Sequence, residues 1–133
     1  MDSNLDWVTI HQWADEGKQI IFIDTTCEFD EDSVKEACHC KDVMLLHCNS
    51  IERCIGVIEQ IRREVYGEHA KTVAVVISNE RILVPQRNID CSHNSVAPAT
   101  PEEIDARRRE LKFVIKQLKS TGVQVAIGEL YEG

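Results

Sequence analysis

Apolar residues in this chain fall into two kinds of pattern. In one kind they run consecutively over four or five positions, as in Gln19-Ile-Ile-Phe-Ile-Asp24, Val43-Met-Leu-Leu-His-Cys48 and Thr72-Val-Ala-Val-Val-Ile-Ser78, with Val123-Gln-Val-Ala-Ile127 reading as a last strand. Short continuous apolar runs predict strands covered on both faces. In the other kind they recur at three- and four-residue steps, which is the period of a helix with one buried stripe. Ile51, Ile55, Ile58, Ile61 and Val65 make the clearest stripe, with Asn49 or Ser50 placed to cap its start and Gly67 to stop it. Ile104, Leu111, Val114, Ile115 and Leu118 make another, opened by the capping box Thr100-Pro-Glu-Glu103 and closed by Gly122. A short helix over Ile10–Glu16, capped by Thr9 and ended by Gly17, and a weak one over Glu31–Cys38 complete the set.

Strands alternating with helices predict a mostly parallel sheet with helices on both faces, a three-layer α/β/α sandwich of four or five strands. Ile82-Leu-Val-Pro85 is the candidate fifth strand, with Pro85 suited to an edge. Residues 86–99 are polar and aperiodic and read as a long loop. The 133 residues fit one domain spanning 1–133, since 43% hydrophobic and 29% charged is an ordinary globular balance.

Charge narrows the function classes. Fifteen basic against 23 acidic residues give a net charge of −8, which argues against nonspecific binding to nucleic acid or to an anionic membrane. No apolar run reaches the roughly 20 residues of a membrane span, and no export signal is legible, so a soluble cytoplasmic protein is expected. The acidic stretch Glu28-Phe-Asp-Glu-Asp32 reads as a solubilising or partner-facing patch, and a protein partner would be basic. Arg107-Arg-Arg109, flanked by Glu102, Glu103, Asp105 and Glu110, reads as a solvated helix face.

In open parallel sheets, ligands bind beyond the carboxyl ends of the strands. Those exits carry Asp24 and Thr25 after the first strand, Cys48, Asn49 and Ser50 after the second, and Ser78 and Asn79 after the third. Thr25, Asn49, Ser50, Ser78 and Asn79 are therefore the candidate ligand-binding residues. Cys48 is the candidate nucleophile: a thiol at a strand end faces the positive end of the next helix and has Arg53 nearby, and both favour thiolate. The same donors suit a small anionic ligand such as phosphate. Asp24 can orient Arg53 or accept a proton. His47, one residue earlier on the strand, is expected on the opposite face from Cys48, as a hydrogen-bonded structural histidine.

Cys48, four intervening residues and Arg53 resemble the active-site loop of rhodanese-type sulfurtransferases. Val8–Gly17 followed by Ile20-Ile-Phe-Ile-Asp24 is similar to that family's opening helix and strand. The resemblance implies a persulfide on Cys48 with Arg53 closing the loop. The loop departs from the family in having Ile51 where a glycine stands and Thr26 where an arginine follows the aspartate. His47-Cys48 before an arginine is similar also to the cysteine-phosphatase loop, whose spacing is one residue longer. Neither likeness extends over enough of the chain to assign a family.

The other cysteines are Cys27, Cys38, Cys40, Cys54 and Cys91. Reduced thiols are expected, and no cofactor is assigned. A zinc-stabilised module on Cys38, Cys40, Cys91 and His93 is an alternative, although no C-x-x-C pair is present. The sequence thus favours a binding or regulatory domain acting through a strand-end pocket and an acidic surface, with a Cys48-dependent sulfur- or phosphoryl-transfer enzyme as the alternative.

Overall fold

A computed structural model of the chain describes residues 6–25, 29–48, 50–78 and 100–128. Helix α1 spans Trp7–Asp15, β1 Gln19–Asp24, α2 Glu31–Cys38, β2 Val43–His47 and α3 Ile51–Glu64. A 3-10 segment over Gly67–Thr72 leads into β3 (Val73–Ile77), and α4 (Pro101–Ser120) and β4 (Gln124–Ile127) complete the order. The four strands are all parallel, in the order β2-β1-β3-β4. Helices flank both faces, so the fold is the expected three-layer α/β/α sandwich. The candidate strand at 82–85 and the loop at 86–99 lie outside the described residues.

The two faces of the sheet carry two separate cores, as the period-2 alternation of strand side chains requires. On one face Ile20, Phe22, Val43, Ala74 and Val76 pack against Ile10 and Trp13 of α1 and Val34 and Cys38 of α2. On the other, Ile21, Ile23, Val73, Val75 and Ile77 pack against the stripes of α3 and α4. The α3 stripe is buried from Ile51 through Ile61, and each such isoleucine contributes about 1.5–3 kcal/mol of transfer free energy. In α4, Leu111, Val114, Ile115 and Leu118 are buried, while Ile104 at its outer end is only partly covered.

The ends of the helices show where local chemistry decided. Ser50 caps α3 by accepting the Arg53 N–H at 3.2 Å, and Thr100 caps α4 by accepting the Glu103 N–H at 3.2 Å. Helix α1 begins three residues earlier than its apolar pattern predicts. Asp6, not Thr9, is its cap, accepting the Thr9 N–H at 3.1 Å and the Thr9 hydroxyl at 2.6 Å. The Thr9 bonds hold the Asp6 carboxyl below the usual carboxylate range. Gly17 ends α1 with φ of 80°, a conformation that glycine adopts without strain. The 3-10 segment was invisible to periodicity, because Ala70 is its one buried residue.

One expectation about the sheet needs correcting. The run Val43–Cys48 reads as a strand covered on both faces, yet β2 is one edge of the described sheet, with Met44 46% exposed, and β4 is the other. β1 and β3, by contrast, are buried almost throughout. A continuous apolar run therefore marked an edge strand here as well as the two central ones.

Candidate functional site

The chain leaves β1 toward β2 on one side and later returns to lay β3 on the other. The carboxyl ends of β1 and β3 are therefore the topological switch point of the sheet. Thr25 and Ser78 meet there. The Thr25 N–H donates to Ser78 Oγ at 2.9 Å, and the two hydroxyls lie 3.1 Å apart. Both residues are buried, so these bonds tie the ends of the two central strands together. Asn49 and Asn79, the other candidates around this crevice, lie outside the described residues.

Asp24 closes β1 and is fully buried. A carboxylate taken out of water must be compensated by donors or by opposite charge. Its Oδ2 receives the backbone N–H of Phe29 at 3.0 Å and lies 3.1 Å from His47 Nδ1. The ladder explains the meeting: β1 and β2 pair in register, with Asp24 opposite His47, so both side chains stand on the α1/α2 face. With Nδ1 turned to the carboxylate, a neutral His47 carries its proton there and offers Nε2 as an acceptor. The ring is 48% exposed and borders a cleft beside β2.

Cys48, Arg53 and Asp24 do not converge. Cys48 follows His47, so its side chain falls on the opposite face of the sheet from the Asp24 carboxylate. It is 1% exposed, within the apolar cluster that holds Ile51, Cys54 and Ile55. The backbones of the two residues meet, through the Cys48 N–H and the Asp24 carbonyl at 3.0 Å. Arg53 sits on the exposed side of the first turn of α3, and its side chain makes no ion pair among the described residues. The partner that Asp24 orients is thus His47, not Arg53. Sequence reasoning gave His47 a structural hydrogen bond but not this carboxylate, because the register of β1 on β2 is not written in either strand alone.

Beside the Asp24–His47 pair a cleft of about 620 Å³ runs between the start of α2 and β2. Phe29, Val43 and Leu45 form its apolar floor, and Asp30, Glu31, Asp42 and His47 stand around it. Three carboxylates with one imidazole give it an acidic lining. Asp30 Oδ1 accepts the Ser33 N–H at 2.7 Å as the cap of α2, and that backbone bond holds its carboxyl below the ordinary range. Glu31 pairs with Lys35 at 2.9 Å, four residues on. Asp42 makes no side-chain bond or ion pair among the described residues. The acidic stretch of the sequence is therefore split between helix-capping work and a cleft wall, with Phe29 turned inward against Phe22 at 5.2 Å between ring centres.

Arg107 pairs with Glu110 at 2.7 Å and reaches Glu52 of α3 at 3.7 Å, so part of the basic cluster bridges two helices. Cys38 is buried at the end of α2, and that burial pushes its thiol up to about 12. Cys40, two residues on, is partly exposed. Cys91 and His93 lie outside the described residues, among which no three His, Cys, Asp or Glu side chains group to hold a metal ion. No described helix is long and apolar enough to cross a membrane.

The chain matches no protein-family model, and no curated protein matches it.

Proposed function

We propose that this chain is a binding domain that recognises a basic protein partner through the cleft between α2 and β2. The observation that carries the reading is the lining of that cleft, where Asp30, Glu31 and Asp42 surround an apolar floor in a chain of net charge −8. A lysine or arginine entering it finds carboxylates for its charge and apolar surface for its methylene stem. His47 adds an imidazole at the rim. Asp24 acts as a positioning residue that holds the ring through Nδ1.

The cysteine-dependent reading requires a thiol that a substrate can reach, and Cys48 sits in the core beside Ile51 and Cys54. The binding reading asks nothing of a buried group beyond holding His47 in place, and so it fits the geometry better.

Fluorescence anisotropy with labelled oligolysine and oligoglutamate peptides tests it. Oligolysine is expected to bind saturably, more weakly as salt rises through the range where screening shortens to about 10 Å. Combining Glu31→Gln with Asp42→Asn should weaken it about tenfold. Equal binding of the two peptides, or oligolysine binding unchanged by the double substitution, would overturn the proposal.

A further inference from the structure

The edge strand β2 shows how a partner would be held, an inference that rests on the basic-partner reading above. Two bonds to β1 fix which peptide groups of β2 point outward. The Ile20 N–H donates to the Asp42 carbonyl at 3.1 Å, and the Cys48 N–H donates to the Asp24 carbonyl at 3.0 Å. In a parallel ladder a residue turns both its N–H and its C=O to the same neighbour, and the next residue turns both away. Asp42, Met44, Leu46 and Cys48 therefore face β1, and Val43, Leu45 and His47 direct their peptide groups to the open edge. No described strand pairs with that edge. It also carries no lysine, proline or bulge, the devices that ordinarily guard an exposed edge.

The two sides of this edge differ in chemistry. On the α1/α2 side lies the acidic cleft, with Asp42 at the start of β2 and Asp30 and Glu31 at its end, where α2 begins. On the α3 side Met44 and Leu46 border a second groove, of about 380 Å³, floored by Ile21, Val57, Ile61 and Val65. Side chains of an added strand alternate between the two sides. Residues opposite Val43 and His47 would stand about 13 Å apart on the acidic side, each beside carboxylates. Residues opposite Met44 and Leu46 would enter the apolar groove.

We infer that β2 takes up an extended peptide by strand addition, and that the peptide reads basic–apolar–any–apolar–basic. The pattern is the same in either chain direction. A second copy of this chain fits less well, since two β2 edges would bring Asp30, Glu31 and Asp42 of both copies together with no lysine or arginine from either strand between them.

The probe is a fluorescein-labelled Gly-Lys-Val-Thr-Leu-Lys-Gly peptide, measured by anisotropy against the full chain, beside versions with glutamate for both lysines and with alternate amides N-methylated. Leu45→Pro removes one outward N–H and leaves the bonds to β1 in place. Saturable binding of the parent peptide is expected, with loss of about tenfold or more in the N-methylated peptide and in Leu45→Pro, and none of the glutamate version bound. The N-methylated peptide tests the backbone bonds even where Leu45→Pro unfolds the chain. If it binds as well as the parent while the glutamate version does not, strand addition is overturned and the acidic-cleft reading stands. If neither the parent nor oligolysine binds, both fall. A dimer in sedimentation equilibrium that Leu45→Pro dissociates would make a second copy the occupant and refute the peptide.

Discussion

Replacing Asp24 with alanine removes the carboxylate that joins the end of β1 to β2 and to the approach of α2. The residue is fully buried, and its Oδ2 serves both the Phe29 N–H and His47. Hydrogen bonds to a charged group contribute about 1.5–3 kcal/mol each, and His47 is half-exposed, so solvent screens its share. Removing the carboxylate also relieves its own desolvation. The balance predicts a loss of about 2–4 kcal/mol, with the Phe29 N–H left short of an acceptor as the larger part. For a chain of 133 residues this lowers Tm by about 8–15 °C. Asp24→Asn preserves the volume and one acceptor oxygen and should cost about half as much. The assay is urea unfolding followed by far-ultraviolet circular dichroism and by fluorescence of Trp7 and Trp13, which both pack against the same face of the sheet. Combining Asp24→Asn with His47→Gln in a double-mutant cycle should give a coupling of about 0.5–1 kcal/mol. An alanine variant within about 0.5 kcal/mol of the parent would refute the claim that Asp24 is an organising residue, and zero coupling would refute its hold on His47.

Other outcomes follow from the same geometry. Ser50→Ala deprives α3 of its cap and should destabilise the chain by about 1 kcal/mol, read in the same unfolding assay, whereas Ser50→Asp should restore most of it. The Cys38 thiol, pushed up to about 12 by burial, stays protonated in the folded chain after an unfolded cysteine has ionised near pH 8.5. The unfolded state then binds fewer protons than the folded one, so stability should fall as pH rises from about 9 to 12, and less so in Cys38→Ala. Asp30 titrates below its unfolded value, so its contribution is complete above about pH 4 and is lost as pH falls through the folded value. Asp30→Asn should flatten that part of the acid profile in a pH series of thermal melts.

The layers of the fold were legible because burial was written twice, in consecutive apolar runs for β1 and β3 and in spaced stripes for α3 and α4. The helix Pro101–Ser120 was legible from its cap, Thr100, as much as from its apolar positions, whereas Glu31–Cys38 read only as a weak helix, because its cap Asp30 was not picked out from the acidic stretch. Strand order was not, because Val43–His47 is as apolar as its neighbours and nothing local marks it as an edge. The site suffered from the same gap. Asp24 and His47 meet through the register of two strands joined by a helix, whereas Cys48 and Arg53 seemed close because they are close in sequence. Period-2 alternation then separates Cys48 from Asp24 by the thickness of the sheet, and the first turn of α3 carries Arg53 to the surface.

The most direct test of the central claim is a two-dimensional NMR titration of the isotope-labelled chain with oligolysine, followed at the backbone amides. If the cleft between α2 and β2 is the binding site, Phe29, Glu31, Asp42, Leu45 and His47 should shift together and saturate on one curve, with α4 unmoved. Shifts centred on the Glu102–Glu110 face of α4, or no saturable shift around β2, would contradict it.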